Sequence, residues 1–303
     1  MSRVLVLRAL GMGDLLVSVP ALRALRAAFP GARITLAAPA GLRELVQLTG
    51  AVDEVLPTGG LGELHWRHEP PPVAVNLHGS GPQSIADLRA TRPARLLTHA
   101  HHDYPAIDGP RWRTDVHEVR RWCDLLGYYG IPADPRDLAL ARPHVPSPAP
   151  GAVVLHPGAA YGARRWPVER YAKVAGALEK QGHRVVVTGN AGERELAEAV
   201  GGEVLAGRTG VPELAALIAD AALVLCGDTG VGHLATAYGT PSVLVFGPVP
   251  PWRWGPPPGT AHRHAVLWSG QEGPAFSDEP DPGLLRIGED WVLARAEALL
   301  AGR

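Results

Sequence analysis

The strongest constraint on the fold is a strand–helix alternation that runs through the chain twice. Val- and Leu-rich strand patterns alternate with amphipathic helical patterns, as is typical of parallel sheets with helices on both faces. The predicted strands are 3–9, 33–38, 53–56, 73–77 and 94–98, and then 152–156, 184–188, 222–226 and 242–246. Between the two series, residues 141–151 carry four prolines, which favour a semi-rigid extended connection. We predict an α/β protein of two doubly wound domains, 1–145 and 151–303, with a ligand cleft between their sheet edges.

The first strand is followed by a glycine turn and a carboxylate, in the order Gly11, Gly13, Asp14. A dinucleotide site is disfavoured because Leu16 replaces the third glycine of GxGxxG and the second strand ends without a ribose-binding carboxylate. Asp14 follows the carboxyl edge of the predicted sheet, where such sheets bind ligands, so it is either a helix N-cap or a general base. A helix terminus lowers the pKa of a carboxyl group and burial raises it, so a base requires the second effect to offset the first.

The stretch 223–233, LVLCGDTGVGH, predicts a buried strand, a glycine turn and a helix that begins near Val231. A helix N-terminus presents unpaired amides and partial positive charge, which can bind a diphosphate. We therefore predict that this turn binds an anionic ligand through Asp228, Thr229 and Gly230, with His233 one turn further along. The alternative is a capped helix without a ligand.

Two other turns of the second half have the composition of a phosphate site. The loop after strand 152–156 contains Gly158, Arg164 and Arg165, which could surround a phosphate, although the two arginines could equally be a solvated surface pair. After strand 184–188, Gly189 precedes Glu193, whose carboxylate could accept hydrogen bonds from a ribose or complement a helix dipole. Residues 248–282 are rich in Pro, Gly and Trp without periodicity, and we predict a long surface excursion there.

Histidines are concentrated in the first half of the chain. The loop HAHHDY, 99–104, is predicted to be the polar rim of an acceptor cleft or a solvated loop. A metal site is disfavoured because consecutive histidines cannot all face one ion. His78 and His117 could face the same cleft, and together with Gly11 and Gly13 we assign them to acceptor binding. Two cysteines far apart fit a reducing cytosol, and no metal site is predicted.

The composition excludes several partners. With a net charge of −1, the chain has no excess of positive charge that would favour binding to nucleic acid or to an anionic membrane. The start of the sequence lacks the apolar core of a signal peptide, and no uncharged apolar run reaches about 18 residues. We expect a cytoplasmic protein with at most peripheral membrane contact.

Several motifs occur together in one order along nearly the whole chain. They are LGMGD, LHPGA followed by RRWP, TGNAGE, and DTGVGHLATAYGTPSVLVFGP. This set resembles glycosyltransferase family 9, the ADP-heptose lipopolysaccharide heptosyltransferases and their relatives. The resemblance implies a GT-B fold of two Rossmann-like domains, the first binding an acceptor and the second a nucleotide sugar.

The resemblance also implies chemistry: an inverting sugar transfer without a metal ion or other cofactor. The donor would be a nucleotide-diphosphate sugar, ADP-linked by preference, and the acceptor a glycan, glycolipid or small-molecule hydroxyl. Asp14 would be the general base, and Arg165 would replace the Lys that the family commonly has before Trp-Pro. Asn76 stands where the family often has Asp. A non-hydrolysing nucleotide-sugar epimerase and a catalytically inactive nucleotide-sugar-binding protein remain as alternatives.

Overall fold

The computed structural model describes residues 2–302, and their contacts form two compact units. The first unit ends at Ala141 and the second begins at Arg142. The proline-rich segment therefore belongs to the start of the second unit. Within the described residues, no helix is both long enough and apolar enough to span a membrane.

The first unit is one parallel sheet of five strands with helices between them. The strands are β1 (Arg3–Leu7), β2 (Arg33–Ala38), β3 (Glu54–Pro57), β4 (Val73–Asn76) and β5 (Arg95–Leu97), and the helices are α1 (Met12–Val17), α2 (Val19–Ala28), α3 (Arg43–Leu48), α4 (Gln83–Ala90) and α5 (Glu118–Tyr128). The strand order is β3-β2-β1-β4-β5, which is the doubly wound order of a Rossmann-like domain. The apolar runs of β1 and β2 are buried on both faces, as expected for central parallel strands.

The second unit is a parallel sheet of six strands. The strands are β6 (Val153–His156), β7 (Val185–Val187), β8 (Glu203–Val204), β9 (Leu223–Gly227), β10 (Ser242–Phe246) and β11 (His264–Trp268), and the helices are α6 (Val168–Lys180), α7 (Arg194–Val200), α8 (Val211–Asp220), α9 (Gly230–Tyr238), α10 (Pro251–Trp254), α11 (Pro282–Leu285) and α12 (Glu289–Ala301). The order is β11-β10-β9-β6-β7-β8, with β9 and β6 side by side in the middle. Both units thus have the predicted α/β architecture.

The order of the strands brings particular polar residues to one edge of each sheet. In the first unit, the segments that follow β1, β4 and β5 lie next to one another because β4 pairs with both β1 and β5. In the second unit, the ends of β6 and β9 are adjacent, with His156 in register with Cys226. The carboxyl ends of parallel strands are where open α/β sheets bind ligands.

The sequence prediction was wrong about residues 248–282. This segment is not only a surface excursion, because its residues His264–Trp268 form β11, which pairs with β10 from Ser242↔His264 to Phe246↔Trp268. Two further short helices, α10 and the start of α11, were also missed there. Their flanking prolines and glycines hide a five-residue edge strand, which has no alternation on which a prediction could rest.

Helix boundaries also differ from the prediction in the first unit. Apolar residues recur at helical spacing from Leu15 to Phe29, which predicts one helix after Asp14. The helix is instead interrupted at Ser18, whose Oγ donates to the Leu15 carbonyl at 2.7 Å. Pro20 lies in the first turn of α2, where its missing N–H is tolerated. The sequence also predicts an amphipathic helix over about 113–126, and the observed helix begins only at Glu118.

Candidate functional site

The turn between β9 and α9 has the predicted form of strand, turn and helix N-terminus. Gly227 ends the strand, Thr229 is the N-cap in extended conformation, and Gly230 is the first helical residue. The Thr229 hydroxyl is buried and, apart from the weakly bonding Cys226 thiol beside it, has no hydrogen-bond partner among residues 2–302. Beside it, burial raises the pKa of the Cys226 thiol to about 12, and a contact with Thr229 partly offsets this. A buried hydroxyl next to the amides of a helix terminus is a suitable donor for an anion.

Asp228 and Arg164 form an ion pair at the same turn. Arg164 Nη1 lies 3.7 Å from Asp228 Oδ2, and the Asp228 side chain is buried. The Arg164 guanidinium also lies 5.9 Å from the ring of Tyr161 and 5.8 Å from that of Phe276. Its Nε is buried without a hydrogen-bond partner in the described part of the chain. The guanidinium is therefore held in place with hydrogen-bonding capacity left over.

Glycines allow the backbone of the Arg164 turn to approach the sheet. A Cβ on Gly227 would lie 3.0 Å from the Arg164 carbonyl oxygen, and one on Gly247 would lie 2.9 Å from the Ala163 carbonyl oxygen. A Cβ on Gly162 would collide with the backbone of Asp278. The short 3-10 turn Gly162–Arg164 is thus packed over the ends of β9 and β10.

Arg165 follows this turn and is exposed. Its Nε donates to the Ala159 carbonyl at 3.0 Å, which ties the side chain back to the loop that follows β6. The two arginines therefore differ in their surroundings: Arg164 is paired with a buried carboxylate, whereas Arg165 bonds a backbone carbonyl.

Gly158, Gly189 and Glu193 lie together at the ends of β6 and β7. Glu193 Oε2 accepts from the Asn190 amide at 2.8 Å and completes a capping box with that residue. Its carboxylate fills the space over Gly158 that a Cβ would need, and Gly189 faces its Cβ. The alternative of a helix-terminal role for Glu193 therefore has direct support, and ribose binding by it stays a prediction.

Two polar residues beside this group were missed from the sequence. His156 Nδ1 lies 3.1 Å from Thr188 Oγ1, at the ends of the neighbouring strands β6 and β7. Burial lowers the pKa of His156, and the charge of Glu193 partly offsets that effect. Their position at strand ends was the signal that could have identified them.

His233 lies on α9 beside a small recess at the helix N-terminus. Its ring is edge-on to Trp254, with 6.0 Å between the ring centroids. The recess is also lined by Asp228, Thr229 and Phe246. The structure thus brings Asp228, Thr229, Gly230 and His233 to one end of α9, as expected from their spacing.

In the first unit, Asp14 is paired with a buried arginine that sequence reasoning missed. Arg8 is 1% exposed, and its Nη2 lies 3.0 Å from Asp14 Oδ1 while its Nε donates to the Asp14 carbonyl at 2.9 Å. Its Nη1 donates to the Leu77 carbonyl. The Asp14 side chain is 30% exposed, so it is open to solvent while its partner is not. The N-cap of α1 is Gly11 rather than Asp14, and Gly13 lies within the first turn, so the N-cap reading of Asp14 was wrong.

An aromatic and charged cluster from α5 surrounds Arg8. The guanidinium carbon of Arg8 lies 4.6 Å from the ring centroid of Trp122, and Arg8 Nη2 lies 3.9 Å from Glu118 Oε1. Glu118 Oε2 in turn accepts from Arg121 Nε at 2.8 Å. Burial lowers the pKa of Arg8, and the charges of Asp14 and Glu118 raise it. Arg8, which directly follows β1, thus joins Asp14, the segment after β4 and helix α5.

The histidines assigned to acceptor binding occupy different environments. His117 is the N-cap of α5, and its Nδ1 accepts from the Val119 amide at 3.2 Å. His78 is partly buried, and its Nδ1 has no hydrogen-bond partner within 2–302. Burial, assisted by the charge of Arg8, lowers the pKa of His78 to about 4. His117 thus has a structural role in the helix, whereas His78 lies next to the Arg8 cluster.

The hydrogen bonds of Asn76 explain why an amide stands at this position, where the family often has Asp. Its amide nitrogen, which has two N–H groups, lies 2.9–3.2 Å from the Gly79 carbonyl oxygen, Ser84 Oγ and Thr98 Oγ1. Its Oδ1 accepts from the His78 backbone amide at 3.1 Å. A carboxylate could accept from the two hydroxyls but could not donate to the Gly79 carbonyl, so the amide holds the loop that carries His78.

The HAHHDY loop brings three potential ligand groups closer than its sequence implied. The candidate ligand atoms of His101, His102 and Asp103 lie within 4.8 Å of one another. His101 Nδ1 already accepts from the Asp103 amide at 3.1 Å, and His102 is 86% exposed. These contacts are internal to the loop and are consistent with a solvated loop. The expectation of no metal site stays a prediction.

We predict that acid destabilises the protein through His99, which is 4% exposed. Burial lowers the pKa of His99 to about 4, with a further contribution from Arg121, whereas an unfolded histidine titrates near pH ~6.5. The unfolded chain therefore binds more protons between these values, and stability is lost as the pH falls from 6.5 towards 4. Urea unfolding should show that His99→Gln removes about 1–2 kcal/mol of the difference between neutral and acidic pH.

The matched control is His102→Gln, because that ring is 86% exposed. It should leave the pH dependence of the unfolding free energy unchanged. The same pH dependence in parent and His99→Gln proteins would contradict the assignment.

The geometry and the comparisons with known proteins define the class of protein. Two Rossmann-like domains, the second with a helix terminus suited to a diphosphate, are the GT-B arrangement of nucleotide-sugar-dependent glycosyltransferases. Residues 104–280, more than half of the chain, match Glycosyltransferase family 9 (heptosyltransferase). The chain belongs to this family, as its motifs predicted, and it is a glycosyltransferase of the heptosyltransferase class.

Individual relatives agree with this assignment. Lipooligosaccharide heptosyltransferase 2 of Haemophilus influenzae is 37% identical over 106 residues, which is 31% of this chain and 31% of that protein. Lipopolysaccharide heptosyltransferase 1 of Escherichia coli is 24% identical over 288 residues, covering 82% of this chain and 89% of the other.

Solved structures share the fold over the whole chain. A family 9 glycosyltransferase from Veillonella parvula superposes with a TM-score of 0.81 at 20% identity, covering 100% of this chain and 98% of the other. The E. coli ADP-heptose lipopolysaccharide heptosyltransferase II has a TM-score of 0.79 at 24% identity, with 100% and 99% covered. The predicted GT-B fold is therefore confirmed.

Proposed function

We propose that the protein transfers a heptose or a related sugar from a nucleotide-diphosphate sugar to a hydroxyl of a glycan, glycolipid or small molecule, with inversion and without a metal ion. The observation that carries this proposal is the buried Thr229 hydroxyl at the N-terminus of α9, which has no nitrogen or oxygen hydrogen-bond partner among residues 2–302 and lies beside the Arg164–Asp228 pair. These groups supply hydrogen bonds and positive charge where a diphosphate would dock. Solved relatives described with ADP and with an ADP-linked fluoroheptose favour adenine as the base.

In the proposed reaction, the acceptor oxygen attacks the anomeric carbon from the face opposite the leaving group. The acceptor O–H bond breaks and its proton passes to the Asp14 carboxylate. The bond between the anomeric carbon and the diphosphate oxygen breaks, and its electron pair leaves with the diphosphate. One attack from the opposite face gives inversion.

A metal ion is unnecessary in this proposal because the second unit provides its own positive charge. The helix terminus at Thr229 and the side chains of Arg164 and Arg165 would stabilise the departing diphosphate. We assign Gly158, Gly189 and Glu193 to the donor side, next to His156, and Gly11, Gly13, His78 and His117 to the acceptor side. A cytoplasmic location remains a prediction.

The activity is tested by mixing an ADP-sugar and an acceptor glycan with the protein and measuring ADP release. Release that depends on the acceptor supports transfer, and release without it would indicate hydrolysis instead. Turnover should persist in excess chelator. Loss of turnover with chelator and its recovery with Mg²⁺ or Mn²⁺ would contradict the metal-independent proposal.

Donor binding is tested with Thr229→Val, which keeps the side-chain shape and removes the hydroxyl. We expect the Kd for ADP to rise about 10- to 100-fold, as for loss of a hydrogen bond to a charged group. The matched control is Thr240→Val, just beyond the other end of α9, where the hydroxyl donates to the Ile218 carbonyl at 2.8 Å. Calorimetry that gives the same Kd for both variants would remove Thr229 from the donor site.

A further inference from the structure

Three charged side chains form an ordered row at the edge of the first sheet. Arg8 lies in the middle, with the Asp14 carboxylate 3.0 Å from Nη2 and the Glu118 carboxylate 3.9 Å from the same nitrogen. Arg8 is almost fully buried and the Glu118 side chain is 10% exposed, whereas Asp14 is 30% exposed. The most buried member is therefore the central Arg8, and the more exposed end of the row is Asp14, the proposed base.

Arg8 fixes Asp14 by two separate bonds. Nη2 contacts the carboxylate, and Nε donates to the carbonyl of the same residue at 2.9 Å. The planar guanidinium is itself fixed by the Trp122 ring on one side and by its bond to the Leu77 carbonyl. The carboxylate is therefore held both in position and in orientation, because a guanidinium with a fixed plane dictates where its acceptors lie.

Glu118 gives Arg8 a second counter-charge. When Asp14 accepts a proton, its attraction for Arg8 disappears, and a buried cation without a partner is costly. Glu118 remains as an anion beside the guanidinium at that moment. It therefore reduces the electrostatic opposition to proton transfer onto Asp14.

We propose that Arg8 and Glu118 are positioning residues for the transfer reaction: Arg8 orients the Asp14 carboxylate, and Glu118 shares the charge of Arg8 so that Asp14 can take up the acceptor proton. This inference rests on the proposed function of Asp14 as the base. Neither residue needs to touch the substrate.

Other charged or titratable groups face this row and must be considered. Arg121, on α5, forms an ion pair with Glu118, and its positive charge repels that of Arg8. His78, after β4, is close to Arg8 and to Asp87, and burial lowers the pKa of His78 to about 4, so it is neutral near pH 7. Arg121, His78 and His117, the N-cap of α5 directly before Glu118, are unchanged in the variants below, so a difference in pH profile between a variant and the parent arises from the row itself.

The proposal predicts that Glu118→Gln and Arg8→Gln shift the pH dependence of kcat/KM in opposite directions. In Glu118→Gln, Asp14 is the one remaining carboxylate of the row beside Arg8, so the guanidinium favours the ionised form of Asp14 more strongly. The acidic limb should therefore move about 1 pH unit lower, and kcat should fall about 10-fold. Arg8→Gln removes the positive charge next to Asp14, so the acidic limb should move about 1 pH unit higher. A purely structural role would lower activity without moving the limb.

The matched controls are Arg3→Gln and Glu54→Gln, which break a 2.7 Å ion pair at the opposite end of β1. Both should keep the parent pH profile. Folding of each variant is checked by its thermal unfolding curve and by its Kd for ADP. If Arg8→Gln does not fold, the downward shift of Glu118→Gln decides the matter alone.

An unmoved acidic limb in folded Glu118→Gln protein, or shifts of both variants in one direction, would overturn the proposal. Failure of the underlying function is distinguishable: if Asp14→Asn turns over normally, Asp14 is not the base. If Asp14→Asn is inactive and the limb does not move, the positioning role alone is wrong.

Discussion

Asp14→Asn is expected to lower kcat by about 10² to 10⁴-fold, the usual contribution of general base catalysis. The amide keeps the size of the carboxylate, and its oxygen can still accept from Arg8 Nη2, whose present distance to Asp14 Oδ1 is 3.0 Å. It cannot take up the proton of an acceptor hydroxyl. Steady-state release of ADP from an ADP-sugar in the presence of acceptor measures the effect.

Donor affinity should be unchanged in the same variant, because the groups assigned to the diphosphate belong to the second unit. The matched control is Asp134→Asn, since Asp134 forms an exposed ion pair with Arg136 at 3.0 Å and such pairs contribute little. A kcat of Asp14→Asn within about tenfold of the parent would mean that another group removes the proton.

Arg165→Gln is expected to lower kcat by about 10² to 10³-fold, as when one electrostatic donor to a developing charge is removed. The residue follows the Gly162–Arg164 turn that is packed over the end of β9, next to Asp228 and Thr229. It bonds the Ala159 carbonyl through Nε, and this anchor leaves the outer part of a guanidinium to face a leaving group. Because the family commonly has lysine here, Arg165→Lys should recover most of the activity.

The neighbouring Arg164 offers a contrasting variant. Its guanidinium is paired with Asp228, so Arg164→Gln should raise the Kd for ADP more than it lowers kcat. Arg295→Gln, at an exposed position on α12 of the same unit, serves as the inert control. If Arg165→Gln turns over like Arg295→Gln, the leaving group is stabilised elsewhere, and Arg164 becomes the leading candidate.

The strands that form the centre of each sheet could be predicted from the sequence. Strands such as Arg33–Ala38 and Ser242–Phe246 have the predicted bounds because they are continuous apolar runs, buried on both faces and ended by turn residues. The edge strand Glu203–Val204 has only two residues, one exposed and one half-buried, so no pattern identifies it.

The candidate site was predictable where the backbone determines it. The turn before α9 follows from a strand, a glycine and a helix, all local features. The row of Arg8, Asp14 and Glu118 is not local, because it joins positions that only the strand order and the packing of α5 bring together. The predicted strand 3–9 includes Arg8, but nothing in the local pattern indicates that its charge is fully buried and paired.

Because residues 162, 227 and 247 are glycines, the backbone of the Arg164 turn packs directly against neighbouring backbone, an interface we call the glycine seam. No side chain in that seam can be exchanged to tune its fit, since any Cβ would push the turn away from the sheet. Directed-evolution libraries aimed at new donor sugars should therefore keep these three codons fixed. Diversity is better placed at Tyr161 and Phe276, whose rings flank the guanidinium, and Phe276 is 74% exposed and therefore outside the core.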